Sequence, residues 1–153
     1  MAQRGGSVIS YVKFGPTVYS PLVEKRGAHI LCAFEPLEMI RYLAYVHKKS
    51  HIVFNTGRVY PSSAVLGKVP YPEKPEEIAQ KYCESVLPMD ATEMAVALGL
   101  PNAVNLIMLG SISSWLPFSP EEWNKAIEKK VKAKYVEINK KAFEKGKEAV
   151  RIR

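Results

Sequence analysis

The stretch from His29 to Val46 (HILCAFEPLEMIRYLAYV) constrains the fold more than any other part of the chain. Residues 29–34 form a short apolar run of the length typical of a strand buried on both faces. Pro36 ends this run, because proline cannot continue a ladder of hydrogen bonds but fits the first turn of a helix. Apolar residues at helical spacing follow, and 51–55 supplies the next strand. This order predicts a βαβ unit in an α/β fold, with a doubly wound, mostly parallel sheet flanked by helices.

The carboxyl ends of the two predicted strands carry polar residues. Glu35 directly follows the first strand, and Asn55 ends the second. In open α/β sheets ligands bind in the crevice at this edge, so both residues are candidates for contacts in a cleft or an interface. Glu35 and Glu38 could also form a catalytic carboxylate pair. Compensation of the helix dipole by two acidic residues at a helix start is the favoured interpretation.

The apolar patterns and the prolines of the surrounding segments predict their structure. The run 7–14 is apolar on both faces and is typical of an interior strand. Prolines in 61–75 indicate an extended connector, and Pro75 begins a short helix. Residues 86–87 form a weak strand that Pro88 ends.

The chain from about 101 to 150 is predicted to be helical. Residues 102–116 are apolar around almost the whole circumference, so this helix should lie between the sheet and other helices. Gly110 would allow a neighbouring element to approach closely. Ser119 to Glu122 has the spacing of a capping box, and a final helix is expected over about 134–150.

Catalytic and metal-binding motifs are absent from the sequence. It lacks the glycine-rich phosphate loops, the serine nucleophile turn and the paired-histidine zinc motif. Cys32 and Cys83 are expected to be free buried thiols, and two cysteines cannot by themselves hold an iron–sulfur cluster or a structural zinc. The histidines have no ligand spacing, and Asp90 is interpreted as a helix cap rather than a catalytic acid. No catalytic residue and no metal ligand are therefore assigned.

A glycine-rich turn near the start supplies the remaining candidates. Arg4, Gly5, Gly6 and Ser7 could direct backbone N–H groups at an anion, although two adjacent glycines before a strand are common without any ligand. Asn105, in the apolar helix, completes the set of cleft or interface candidates.

Charge and length bound the function classes. With 153 residues the chain is expected to form one domain, 1–153. Of the net charge of +7, residues 121–153 contribute 11 Lys/Arg against 6 Asp/Glu. This pattern favours a solvated helical face, or a surface that meets an acidic partner, over a nucleic-acid patch, because the basic residues alternate with glutamates and no Gly-Arg motif is present. No apolar run is long enough to span a bilayer and no secretory pattern is present, so a cytoplasmic location is expected.

Five segments in order, covering nearly the whole chain, resemble the gamma-type domain of 2-oxoacid:ferredoxin oxidoreductases. The sequence 34–38 (FEPLE) is most similar to the beta (small) subunits of the indolepyruvate enzymes. The segments are MAQRGGSVISYVKFG, SPLVEKRGAHILCAFEPLE, NTGRVYP, LPNAVNLIMLGSIS and KYVEINKKAFEKGKEAV.

The resemblance implies a subunit without cofactors in a complex that decarboxylates an aryl pyruvate oxidatively to acyl-CoA. A large partner subunit would hold thiamine diphosphate and [4Fe–4S] clusters, with ferredoxin and CoA acting through the complex. The gamma subunit of a pyruvate or 2-oxoglutarate enzyme is an alternative within the family. A free-standing nucleotide-binding enzyme and a nucleic-acid-binding α/β module remain open outside it.

The resemblance also implies a difference at the front of the chain. Family members carry a strand, a glycine-rich turn and a helix before the stretch that corresponds to residues 3–6. We expect the chain to lack this first unit, and the natural protein to begin upstream.

Overall fold

A computed structural model of the chain describes residues 8–58 and 71–151. A parallel sheet lies at the centre of these residues, with its strands in the order β1-β2-β3. The strands are β1 (Ala28–Ala33), β2 (Val46–Asn55) and β3 (Ser85–Met89). Helices cover both faces of the sheet, which confirms the predicted α/β class.

The helices begin at the prolines and capping residues from which their starts were predicted. Pro36, Pro75 and Pro120 each stand at the first turn, and Asp90 and Ser119 cap helices through their side chains. The capping box predicted at Ser119 is present in full. The α-helices are α1 (Pro36–Arg41), α2 (Pro75–Gln80), α3 (Ala91–Ala97), α4 (Val104–Ile112), α5 (Pro120–Lys130) and α6 (Val136–Arg151). Short 3₁₀-helices occupy Leu43–Tyr45, Pro101–Ala103, Ser113–Trp115 and Ala133–Tyr135.

The central strand β2 sends alternate side chains into two separate cores. Val53 packs with residues of α3 and α4, whereas Ile52 and Phe54 pack with residues of α1 and α2. Period-two alternation of this kind follows from strand geometry. The sheet therefore has an α3–α4 face and an α1–α2 face.

Helix α4 lies between the sheet and α6, as its apolar circumference predicts. At Gly110 an added Cβ would lie 2.0 Å from the carbonyl oxygen of Phe143, and at Gly146 one would lie 1.9 Å from that of Ile107. Two glycines on facing helices thus bring the backbones into direct contact. This confirms the close approach expected at Gly110, while its counterpart Gly146 was not predicted.

The first strand predicted, 7–14, is wrong over the residues that the structure describes. Residues 8–14 have no regular structure, and Val12 is 79% exposed. An interior strand needs neighbours on both sides, and β1 pairs with β2 alone among the described strands. The segment instead contacts the rest of the protein through pairs of aromatic rings, Tyr11 with Tyr45 and Phe14 with Phe118.

Three boundaries also differ from prediction. Pro88 lies inside β3, opposite Phe54, because β3 is at an edge of the described sheet where proline is tolerated. Helix α1 ends at Arg41 and gives way to a 3₁₀-turn. The helix predicted over 102–116 is divided by 3₁₀-turns at both ends, and of the predicted connector only 71–74 is described.

No helix within residues 8–58 and 71–151 is both long and apolar enough to cross a membrane.

Candidate functional site

Glu35 is built into the start of α1 at the carboxyl end of β1. It is the N-cap residue, and one carboxylate oxygen accepts a hydrogen bond of 2.9 Å from the backbone N–H of Glu38. The other oxygen accepts from the Tyr71 hydroxyl. Burial and this contact with Glu35 raise the pKa of Tyr71 above its usual range. Since Glu35 is only 8% exposed, its carboxylate acts as a buried acceptor for two donors.

Asn55 joins the ends of two neighbouring elements. Its amide nitrogen donates to the carbonyl oxygen of Phe34 at 3.3 Å and to the hydroxyl of Thr92 at 3.0 Å. Its amide oxygen accepts from the backbone N–H of Thr92 at 3.3 Å. A Cβ at Gly57 would lie 2.9 Å from the Asn55 amide nitrogen, so a glycine leaves room for this network. Asn55 is 5% exposed and ties β1 to the first turn of α3.

The structure therefore brings Glu35 and Asn55 to the same edge of the sheet. Asn55 bonds to Phe34, the residue directly before Glu35. The polar atoms of both side chains are directed at protein groups, an arrangement that stabilises the shape of the edge.

A cleft of about 320 Å³ opens beside this edge, on the α1–α2 face. Its lining includes the apolar residues Phe54 and Pro88, and its charged lining residues are Arg58, Glu73, Lys74, Glu76 and Glu77. The Arg58 guanidinium lies 5.1 Å from the ring centroid of Tyr71, and it donates to the carbonyl oxygen of Glu73 at 3.5 Å. A cation over an aromatic ring is an attractive contact, so Tyr71 restrains the position of the Arg58 side chain.

Thr92, Arg58 and Tyr71 are residues of this edge that sequence reasoning missed. Two of them had a signal: Thr92 directly follows the capped start of α3, and Arg58 ends the NTGR stretch after β2. Tyr71 had none, because its contact with Glu35 spans 36 residues.

The other candidates lie elsewhere. Asn105 is exposed in the first turn of α4, where its side-chain oxygen accepts from the backbone N–H of Leu106 at 3.0 Å. Arg4, Gly5, Gly6 and Ser7 fall outside the described residues.

Comparison with known proteins decides the family. Residues 1–149 match the family model of pyruvate ferredoxin/flavodoxin oxidoreductases. Indolepyruvate oxidoreductase subunit IorB of Archaeoglobus fulgidus is 36% identical over 150 residues, which is 95% of this chain and 74% of that protein. The chain belongs to the pyruvate ferredoxin/flavodoxin oxidoreductase family. The IorB subunit of Pyrococcus horikoshii is 34% identical over 157 residues, which is 99% of this chain and 77% of that protein. The predicted resemblance is thus confirmed.

Two solved structures support the oxidoreductase fold. The keto/oxoacid ferredoxin oxidoreductase gamma subunit of Geobacter sulfurreducens superposes with a TM-score of 0.59 at 19% identity, over 82% of this chain and 65% of that one. A 2-oxoglutarate:ferredoxin oxidoreductase from Magnetococcus marinus gives 0.59 at 16% identity, over 82% of this chain and 20% of that one. The latter was solved with 2-oxoglutarate, coenzyme A and succinyl-CoA bound.

The cysteines of this family member do not fit an iron–sulfur cluster. Cys32 and Cys83 are both free, and they pack into the cores on opposite faces of the sheet. A cluster of this kind takes four cysteine ligands, and the two sulfurs here are separated by the sheet. Within the described residues, no group of three or more His, Cys, Asp or Glu side chains is placed to hold a metal ion.

Proposed function

We propose that this chain is the small subunit of a ferredoxin-dependent 2-oxoacid oxidoreductase that acts on aryl pyruvates, with indolepyruvate as the preferred substrate. The observation that carries the proposal is the 36% identity to the Archaeoglobus fulgidus IorB subunit across 95% of the chain. A match of this extent covers the sheet, both helical layers and the Glu35–Asn55 edge together.

The reaction of such a complex converts a 2-oxoacid and CoA into acyl-CoA, carbon dioxide and a proton, and passes two electrons to ferredoxin. We propose that thiamine diphosphate and the [4Fe–4S] clusters are held by a large partner subunit, because the two cysteines here lie in separate cores. This chain would then act as a single gamma-type domain, 1–153, in a cytoplasmic complex. Ferredoxin and CoA would act on the complex, with neither nucleic acid nor membrane as a partner.

The Glu35–Asn55 edge would serve this complex by keeping a fixed shape. Two hydrogen bonds to Glu35 and three made by Asn55 hold the ends of β1, α1 and α3 together. The cleft beside them, with Arg58 in its lining, is available to a substrate approach or to the partner subunit. Arg4, Gly5, Gly6, Ser7 and Asn105 remain proposed cleft or interface residues.

Reconstitution with the partner tests this function. The chain and the large subunit from the same genome should co-purify, and the complex should reduce viologen with indolepyruvate and CoA. The chain alone should be colourless and inactive. Faster turnover with pyruvate or 2-oxoglutarate than with indolepyruvate would assign the complex to another branch of the family.

Activity of the isolated chain would contradict the subunit assignment. Tight DNA or RNA binding, with the steep salt dependence that phosphate contacts impose, would favour the nucleic-acid alternative.

A further inference from the structure

A second cleft lies at the opposite end of the sheet, where the strands begin. It has a volume of about 290 Å³ and lies between the turn at 24–27, the 3₁₀-turn after α1, the start of β2 and the end of α2. Its cationic lining residues are Arg26, Lys48 and Lys81, His47 lies among them, and its apolar lining includes Leu43 and Tyr82. We call it the basic cleft.

The cations of the basic cleft have no carboxylate to pair with in its lining. Among the described residues, no salt bridge involves Arg26, Lys48 or Lys81. The ammonium group of Lys48 donates to the carbonyl oxygen of Lys81 at 3.2 Å, which fixes one cation in place. Elsewhere on the surface, lysines of α6 pair with nearby glutamates. The lining of the cleft thus concentrates positive charge without a carboxylate among its residues.

Arg26 reaches this cleft from a costly backbone conformation. Its φ of +61° lies in the left-handed region, where glycine and asparagine are the residues favoured. Hydrogen bonds of 3.0 Å hold the turn, one from Gly27 N–H to the Glu24 carbonyl and one from Arg26 N–H to the Ala44 carbonyl. Strained backbone at a residue other than glycine is found preferentially at functional sites, so this conformation makes Arg26 a candidate functional residue.

His47 and Lys48 are presented by an irregularity in β2. Ala28 is opposite Val46 and Ile30 is opposite His51, so residues 47–50 stand where β1 has one residue. Ser50 is 1% exposed; its hydroxyl donates to the Ala28 carbonyl at 2.7 Å and accepts from His47 N–H at 2.8 Å. Bulges of this kind re-aim side chains and are often found beside functional sites. Two unrelated backbone features therefore direct cations into one cleft.

We infer that the basic cleft is the docking site for an acidic, carboxylate-rich segment of the large partner subunit; this inference rests on the function proposed above. Charge complementarity favours such a partner, since the lining supplies guanidinium and ammonium donors without a competing carboxylate. Leu43 and Tyr82 provide an apolar surface for a hydrophobic residue between the acidic ones. Docking at the amino ends of the strands would leave the Glu35–Asn55 edge accessible.

Association with the large subunit measures this docking. Arg26→Glu combined with Lys81→Glu should weaken binding about tenfold or more at low salt, mainly through slower association, because the charges steer the encounter. The difference should shrink at about 0.5 M salt, where screening is nearly complete at these distances. Lys125→Glu combined with Lys129→Glu, on exposed positions of α5, makes the same change of charge away from the cleft and should bind nearly as the wild type does.

Arg26→Asn separates docking from folding. Asparagine accepts the left-handed conformation, so this variant should keep the wild-type melting temperature while it binds the large subunit several-fold more weakly. Equal affinity of the cleft and α5 double variants would overturn the docking site and leave the proposed function intact. Failure of the wild-type chain to bind the large subunit would overturn both.

Inorganic pyrophosphate is the probe that tests whether the basic cleft binds a small anion instead of a protein segment. Saturable pyrophosphate binding that is lost in the cleft double variant, together with unchanged subunit association, would identify a small-anion site and overturn protein docking.

Discussion

The two faces of the sheet are covered in different ways. On the α3–α4 face, α4 packs on the strands and α6 packs on α4, with Gly110 and Gly146 bringing the two helix backbones together. On the α1–α2 face, two helices of six residues each form a single layer over the large side chains of Met39 and Phe54. The α3–α4 face needs glycines so that α4 and α6 can approach each other. The α1–α2 face needs large side chains to fill the space between its helices and the sheet.

This difference predicts opposite sensitivities. Where backbones touch, an added methyl group has no space, because a helix must move as a rigid unit. Where large side chains fill the space below short helices, the damaging change is the removal of atoms and the cavity that it leaves. Small-to-large and large-to-small substitutions therefore test the two faces separately.

Gly146→Ala should have the largest effect. The new Cβ would lie 1.9 Å from the carbonyl oxygen of Ile107, so α6 must separate from α4 along the whole interface. We expect a loss of about 5 kcal/mol or more in the free energy of unfolding, comparable with the total stability of many domains and well above the gain in helix propensity of about 1 kcal/mol. Denaturant unfolding measures it.

Gly99→Ala is the matched control for that substitution. Gly99 has a φ of +74° and no atom within 4 Å of an added Cβ, so only backbone strain of about 1–2 kcal/mol should appear. Equal losses for the two alanine variants would mean that α4 and α6 are not in close contact.

Phe54→Ala should be the most damaging truncation on the α1–α2 face. Phe54 is almost fully buried, and its removal should cost about 3–5 kcal/mol through lost burial and a residual cavity. Phe34→Ala removes the same ring from an exposed position at the end of β1 and should cost no more than about 0.5 kcal/mol. A loss below about 1 kcal/mol for Phe54→Ala would show that this face lacks a packed core.

Asn55→Ala should have an intermediate effect, because it disconnects the end of β1 from α3. The Phe34 carbonyl and the Thr92 N–H lose their partner in a buried site, and the expected cost is about 1–3 kcal/mol. Asn105→Ala, at an exposed helical position, should stay within about 0.5 kcal/mol. Similar thermal shifts for both variants would contradict a structural role of Asn55.

Cys32→Ala should have the smallest effect of these substitutions on the free energy of unfolding near neutral pH. It should, however, change how that free energy depends on pH. Burial on the α4 side raises the pKa of the Cys32 thiol from 9.0 to about 12. The folded state therefore holds a proton that the unfolded state releases. The associated stability is complete below pH 9 and is lost as the pH rises toward 12.

Unfolding between pH 8 and 11 measures this effect. The wild type should lose stability relative to Cys32→Ala as the pH increases. Cys83→Ala is a parallel test on the α2 side, where burial also raises the pKa of the thiol and the same direction of change is expected. An unchanged difference between the wild type and Cys32→Ala across this range would indicate that Cys32 is not desolvated.

Much of the fold follows from local signals. Pro36, Pro75, Asp90 and Ser119 mark helix starts, and each does so through groups no more than three residues away. The placement of Glu35 and Asn55 at one edge also follows, because the carboxyl ends of parallel strands coincide. Family membership was evident because similar segments occur in the same order.

The apolar pattern of 7–14 did not predict the structure of the segment correctly, because an apolar run becomes a strand only where another strand pairs with it.

What the sequence by itself determined is the α/β class, the starts of the helices and the family. The tertiary structure decided which distant residues meet, Gly146 with Ile107 and Tyr71 with Glu35, and it decided that Arg26 and Lys81 line one cleft. The physical reason is the separation along the chain of the residues that interact. Caps and turns depend on neighbours along the chain, whereas these contacts exist only after whole elements have packed and brought separated backbones within reach.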